Sequence, residues 1–173
     1  VESTEHEVAT PFRFDVGERE LQVVFKGTAD RIDVMDSGMV RVVDYKTGRS
    51  NLDISGVSSL FEGEKCYEKG NLLQTMIYSM VLHNTLKRNV KPALYYVRQM
   101  TSEDYNPHII DNIGTPRTSS NEVDYLSYAD EFEQMLREKL LELFNPDIPF
   151  VQCGDEQADK ACTHCDFKTI CRR

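Results

Sequence analysis

The stretch GTADRIDVMDSGMVRVVDYKTG, residues 27–48, decides how this chain folds. Two runs of alternating apolar residues flank the turn signal DSG at 36–38, a pattern that predicts a β-hairpin. Yet the charged residues Asp30, Asp44 and Lys46 stand at strand positions where Val or Ile would pack better. Three charged groups at such positions need an explanation, either in function or in simple solvation.

A tight turn centred in this signal sets the register of the two strands. Asp30 then faces Asp44 across the pair, with Cβ atoms about 4.5–5.5 Å apart. Because side chains alternate along a strand, Lys46 lies on the same face as Asp44. The opposite face receives Asp33 across from Arg41, which predicts an ion pair. A bulge in either strand would shift these pairings by one residue.

Two carboxylates that face each other beside apolar neighbours repel and lose hydration. A hard, oxygen-seeking cation such as Mg²⁺ or Mn²⁺ would remove that cost. Lys46 would then position or deprotonate an attacking water and stabilise negative charge in a phosphodiester transition state. The alternative, a solvated hairpin end with incidental charges, explains one aspartate better than it explains three such groups on one face.

The rest of the chain alternates between strand and helix patterns. The predicted strands are 11–34, with a turn at Gly17, then 91–100 and the short segment 108–113. The predicted helices are 71–89 and 121–144, the second with Asn121 as its N-cap. Residues 49–58 are polar and predict a loop. This order of strands, helix, strand and helix is typical of a mixed α/β domain.

Length and charge limit the classes of protein that fit. The 173 residues, 40% hydrophobic and 28% charged, indicate one ordinary soluble domain, with no apolar run near the ~20 residues of a membrane helix. The chain begins with Val, so we expect a domain of a longer protein. A net charge of −9 argues against a free-standing, high-affinity nucleic-acid binder. It leaves room for an enzyme whose acidic site holds metal or whose neighbouring domains grip DNA.

Four of the five cysteines lie in the last 21 residues, in the pattern C-x8-C-x2-C-x5-C. We therefore divide the chain into a core, 1–150, and a cysteine-rich tail, 151–173. With no sign of secretion, the cluster indicates a reducing, cytoplasmic location and a metal or iron–sulfur site. Thiolate ligands suit an iron–sulfur cluster or zinc. Cys66 stands apart and is expected to be an ordinary buried cysteine.

The segments GTADRID and VVDYKTG resemble the PD-(D/E)XK nuclease superfamily, in particular its RecB-like branch, which includes AddB helicase–nuclease subunits and CRISPR-associated relatives. The resemblance implies a restriction-endonuclease-like core, a mixed central sheet flanked by helices. It implies that Asp30 and Asp44 are the metal-binding carboxylates and Lys46 the catalytic lysine. It also implies that the backbone carbonyl of Tyr45 completes the metal shell.

A second motif of this branch, Q-x-x-x-Y on a later helix, is present as Gln74 and Tyr78. Side chains four residues apart share one face of a helix. In the family these residues lie beside the active site and near the DNA. On its own the pair would be ordinary helix surface, but its position after DYKTG supports the resemblance.

The final C-x2-C-x5-C, formed by Cys162, Cys165 and Cys171, resembles the last three ligands of the [4Fe-4S] cluster in AddB relatives. In those proteins the fourth cysteine lies upstream of the core, whereas here no cysteine precedes the hairpin. Cys153 or, less well, Cys66 would take its place, or the ligand lies outside this chain. Zinc is the alternative metal.

The expected function is therefore a Mg²⁺- or Mn²⁺-dependent deoxyribonuclease, with exonuclease action preferred. The resemblance implies the C-terminal domain of a RecB/AddB-like helicase–nuclease or repair protein. Its partners would be single-stranded DNA or duplex ends, and helicase domains or a helicase subunit. One alternative is a non-catalytic nuclease fold that holds DNA or a protein partner. Another is a zinc-ribbon interaction protein in which the tail is the functional part.

Overall fold

A computed structural model gives the fold and describes residues 1–62, 66–113, 121–151, 162–163 and 165–171. Its strands are β1 (Ser3–Val16), β2 (Arg19–Val34), β3 (Val40–Lys46), β4 (Asp53–Ile54), β5 (Val90–Tyr96) and β6 (Ile110–Asp111). Its α-helices are α1 (Gly70–Leu86), α2 (Tyr125–Phe144) and α3 (Lys168–Cys171), and short 3-10 helices cover Val57–Leu60 and Cys66–Lys69.

The central sheet has four strands in the order β1-β2-β3-β5. The β1–β2 and β2–β3 pairs are antiparallel, whereas β3 and β5 are parallel and are joined through α1. A separate two-stranded parallel pair joins β4 and β6. Helix α1 packs against all four strands of the central sheet, and α2 packs against β1, β5 and α1. This arrangement confirms the predicted mixed α/β fold, with a mixed central sheet flanked by helices.

The hairpin between β2 and β3 has the predicted register, with Ile32 opposite Val42. Gly38 supplies the left-handed backbone conformation of the turn, at φ +81°, which glycine adopts without steric cost. The predicted ion pair is confirmed: Arg41 Nη2 lies 2.6 Å from Asp33 Oδ2. No bulge therefore intervenes between the turn and this pair.

Several local predictions need correction. The first strand begins at Ser3 rather than at residue 11, and the helix predicted over 71–89 ends at Leu86, where Lys87 takes a left-handed backbone.

The N-cap of α2 is Asp124 rather than Asn121, because the Asp124 side chain accepts the Ser127 N–H at 3.1 Å. The strand predicted over 91–100 ends at Tyr96, where backbone hydrogen bonds turn the chain. The loop predicted over 49–58 contains β4, whose partner β6 is distant in the sequence.

The hydrophobic core lies between the central sheet and the two long helices. Its largest fully buried side chains include Phe14, Met76, Leu94, Tyr125 and Phe132. Along the described chain, the buried side chains of the core end at Leu140, and the Phe144 ring lies against Phe14 with ring centroids 5.8 Å apart. Within the described residues, no helix combines the length and apolar character needed to cross a membrane.

Candidate active site

The ladder between β2 and β3 ends at the pair Arg31–Val43, one position before the predicted pair of Asp30 and Asp44. Beyond that point Asp30 uses its side chain in place of a ladder bond: Oδ2 accepts the Tyr45 N–H at 2.6 Å. On the side of β2 that pairs with β1, Asp30 lies opposite Glu5, whose φ of 49° is unusual for a residue other than glycine. The carboxylate of Asp30 is thus fixed where regular pairing stops.

The carboxyl group of Asp44 is buried at the end of β3, with the residue only 4% exposed. Burial raises its pKa, and the nearby charge of Asp30 raises it further, although the Lys46 ammonium acts in the opposite direction. Lys46 Nζ forms an ion pair with Asp44 Oδ2 at 2.8 Å. A buried carboxylate therefore lies beside a second carboxylate, with the Lys46 ammonium as its charged partner.

Lys46 connects this strand end to helix α1. Its Nζ donates to Gln74 Oε1 at 3.1 Å, and Gln74 Nε2 donates to Tyr78 Oη at 3.1 Å. The residues of the two sequence motifs, Asp44 with Lys46 and Gln74 with Tyr78, thus form one continuous polar chain. Half-buried donors and acceptors arranged in this way hold the lysine ammonium at one position.

Gly27, the first residue of GTADRID, has a role that sequence reasoning did not assign. A Cβ at this position would lie 2.7 Å from Tyr78 Cε1 and 2.8 Å from its Oη. Only a residue without a side chain lets the tyrosine ring lie directly on β2. The signal was present in the sequence as a glycine inside a strand pattern, which indicates close approach of another group.

Arg31 was also missed, and it lies on the opposite face of the hairpin. Its guanidinium lies 5.6 Å from the ring centroid of Tyr45 and 5.3 Å from that of Tyr95. Arg31 Nη1 donates to the Tyr45 hydroxyl, and Nε pairs with Asp33 Oδ1 at 3.1 Å. These contacts hold the Tyr45 side chain, and with it the backbone that meets Asp30.

The donor atoms at this strand end fit a hard divalent cation. The Tyr45 N–H points towards β2, and the carbonyl of the same residue in an extended strand points the same way. Asp30, Asp44 and that carbonyl offer oxygen ligands only, which Mg²⁺ and Mn²⁺ prefer. Among the described residues, there is no group of three or more His, Cys, Asp or Glu side chains that could hold a metal ion. A site with two carboxylates suits Mg²⁺, which keeps several waters when bound to protein.

The tail does not present a comparable site among its described residues. The Cys165 N–H donates to the Cys162 carbonyl at 3.3 Å, and the Cys171 N–H donates to the Phe167 carbonyl at 3.1 Å. These three described cysteines do not come together as a metal-binding group. Cys153 and the side chain of Cys66 lie outside the described part, so the predicted ligand set stays a prediction.

Comparison with known proteins adds one finding. A family model described as the PD-(D/E)XK nuclease superfamily matches residues 1–172, nearly the entire chain. No curated protein and no solved structure matches the chain. The mixed sheet with flanking helices agrees with the restriction-endonuclease-like fold expected from the resemblance.

Proposed function

Because the chain belongs to the PD-(D/E)XK nuclease superfamily, we propose that it is a Mg²⁺- or Mn²⁺-dependent deoxyribonuclease with its active site at the end of β3. The observation that supports this most directly is the surroundings of Asp44. Its buried carboxylate lies beside Asp30, whose charge raises the Asp44 pKa, and 2.8 Å from Lys46 Nζ. A purely structural strand end would place apolar side chains at these positions.

In this proposal Asp30, Asp44 and the Tyr45 carbonyl hold the cation. When bound, the cation would offset the negative charge of the phosphate and lower the pKa of a coordinated water. Lys46 keeps its ammonium at the mouth of the site, where it donates to the attacking water or to the charged phosphate oxygens. Each of these residues lies on β2 or β3, so the sheet supplies their rigidity.

Gln74 and Tyr78 support the site from α1. Gln74 holds the Lys46 ammonium by a hydrogen bond and is itself held by the Tyr78 hydroxyl. We infer that both are positioning residues that also face the DNA. Loss of either would misplace the lysine without removing a metal ligand.

The test is cleavage of labelled single-stranded DNA and of duplex DNA with free ends, in Mg²⁺ or Mn²⁺. Asp44→Asn and Lys46→Ala should each lower the rate at least about 100-fold, because each removes a charged group from the reacting centre. The matched controls are Asp15→Asn and Lys26→Ala, exposed residues of the same kind on β1 and β2. Equal activity in both site variants and their controls would refute the assignment.

The same assay separates the finer proposals. The motif order G-x-x-D-R-x-D, D-Y-K-T-G and Q-x-x-x-Y supports a RecB/AddB-like nuclease that degrades strands from their ends alongside helicase domains. An exonuclease should leave circular single-stranded DNA intact, whereas cleavage of the circle would show endonuclease action. If the wild-type protein binds DNA, gives no heat of binding with Mn²⁺ and cleaves nothing, the non-catalytic alternative is correct.

For the tail we propose a [4Fe-4S] cluster held by Cys162, Cys165 and Cys171, with Cys153 as the fourth ligand and zinc as the alternative. The support is the spacing of the cysteines in the sequence. Such a cluster would stabilise the fold in the reducing cytoplasm and would take no part in hydrolysis. Iron, sulfide and zinc analysis of anaerobically purified protein distinguishes the two metals.

A further inference from the structure

We propose that a groove beyond the carboxyl ends of β3 and β5 binds the phosphodiester backbone of a single nucleic-acid strand. This inference rests on the proposed nuclease function and names the surface that leads the substrate to it. The groove has a volume of about 670 Å³. Its polar lining includes Arg49, Ser50, Asn51, Arg98, Thr101 and Ser102.

The groove adjoins the site because β3 and β5 run in parallel. Lys46 pairs with Tyr96 at the ends of these strands, and the Val97 N–H donates to the Lys46 carbonyl at 2.9 Å. Arg49 follows Lys46 by three residues, so their Cα atoms lie at most about 11 Å apart. A nucleic-acid strand whose scissile phosphate lies at Lys46 therefore has to extend only a short distance to reach the groove.

The chemistry of the lining favours an anion. Arg49 and Arg98 are both exposed, and neither makes a hydrogen bond or ion pair with any residue in the described ranges. Because these two exposed guanidinium groups have no partner among the described residues, both are available to a negative ligand from outside. Guanidinium groups bind phosphate through paired N–H donors, and the nearby hydroxyl and amide groups add further donors.

Internal hydrogen bonds hold the two segments that line the groove together. The Ser50 N–H donates to Gln99 Oε1 at 3.0 Å, which joins the chain after β3 to the turn after β5. That turn is closed by the Gln99 N–H, which donates to the Tyr96 carbonyl at 2.8 Å. Positively charged grooves that follow the backbone are the usual device of proteins that bind single strands.

One acidic residue, Asp104, also lines the groove among the residues described there. Its carboxylate would repel a bound phosphate, so it weakens the proposed binding. Neutralising it should therefore change affinity in the opposite direction to neutralising the arginines. This opposite sign makes a sharper test than loss of binding alone.

The test is fluorescence anisotropy with a labelled oligonucleotide of about 12 nucleotides in EDTA, where binding is measured without cleavage. The double variant Arg49→Gln/Arg98→Gln should bind more weakly. Its plot of log K against log salt concentration should flatten by about 1.4, or about 0.7 for each lost phosphate contact. Asp104→Asn should bind more tightly than wild type. Arg19→Gln, an exposed arginine at the far end of β2, should bind as wild type.

Each other outcome overturns the proposal. If wild type binds and cleaves DNA but the double variant behaves like Arg19→Gln, the groove is not used and the nuclease assignment stands. If inorganic phosphate competes with the strand at equal concentration, the groove is a small-anion site. If blunt duplex competes equally, the single-strand geometry is wrong. If wild type neither binds nor cleaves any strand, the proposed function fails together with the groove.

Discussion

At the residue scale, Gly27 shows how one absent side chain joins the two motifs. The Tyr78 ring occupies the space that a Cβ would need, and the Tyr78 hydroxyl then reaches Gln74. The glycine of GTADRID thus sets the position of the tyrosine in Q-x-x-x-Y. The contact depends on steric space, because Gly27 is not among the glycines with positive φ.

Gly27→Ala should destabilise the protein by about 1–3 kcal/mol, the usual cost of overpacking a filled site. The measurement is the free energy of unfolding from urea titration. Gly70→Ala is the matched control, since nothing lies within 4 Å of its Cβ position and its backbone is ordinary. Tyr78→Leu should remove most of the added penalty in a double-mutant cycle. Additive effects of the two substitutions would contradict a direct clash.

The residues of the candidate site differ in how far the sequence predicted them. Alternation along β3 was enough to place Asp44 and Lys46 side by side, because neighbouring positions on one face follow from local geometry. The bond from the Tyr45 N–H to Asp30 was not predicted. It requires the ladder between β2 and β3 to stop at Arg31, next to the point where β1 also departs from regular strand backbone at Glu5.

At the element scale, α2 begins where a side chain satisfies its first N–H groups. Burial alone would raise the pKa of Asp124, but hydrogen bonds from Asn89 and from the side chain and backbone of Ser127 outweigh it and hold the pKa below its usual value. Asn121 looked like the cap in sequence, yet it precedes Glu122, which bridges to Ile110. This bridge to a residue distant in the sequence places Glu122 outside the helix, so α2 begins later than predicted.

Asp124→Ala should lower the free energy of unfolding by about 1 kcal/mol at neutral pH, the typical cost of losing an N-cap. Asp124→Asn keeps a capping oxygen and should cost less. Because the folded pKa is lowered, the carboxylate stabilises the fold fully above the unfolded value near 3.9. That stabilisation is lost as the pH falls through the lower folded pKa.

The check is urea unfolding of wild type and Asp124→Asn as the pH is lowered from 7 to about 3. The advantage of the wild type should be constant down to about pH 5 and shrink below it. A difference that is independent of pH would show that the charge of Asp124 contributes nothing to the cap.

At the scale of the whole molecule, periodicity predicted the fold class but not the sheet order. The antiparallel neighbours β1, β2 and β3 are sequential and joined by tight turns, which local residues specify. The parallel pairing of β3 with β5 was not predicted, because the crossover through α1 has no local signal for its end point. That pairing is what places the turn after β5 beside the end of β3.

Removing residues 151–173 should leave the core folded, since the buried side chains of the described core end at Leu140 and Phe144 packs on Phe14. In aerobically purified, metal-free protein we expect the melting temperature to fall by less than about 3 °C, equivalent to about 1 kcal/mol for a domain of this size. Thermal unfolding followed by circular dichroism measures it. A larger fall, or loss of a cooperative transition, would make the tail part of the core.

Anaerobic reconstitution with iron and sulfide extends this comparison to the proposed cluster. A cluster bound by the folded tail should raise the melting temperature of the full chain and leave that of the shortened chain unchanged, because ligand binding to the folded state stabilises it. Equal responses in both chains would exclude the tail cysteines as its ligands.

The hydrogen bond from Lys46 to Gln74 spans 28 residues of sequence, and this separation has a consequence during translation. The hairpin with both aspartates and the lysine leaves the ribosome well before α1 does. On the proposed function, the catalytic side chains of the emerging polypeptide stay unaligned until helix α1 packs against the sheet. The hairpin alone therefore lacks the contact that positions its lysine, and the site is complete only after α1 has been synthesised.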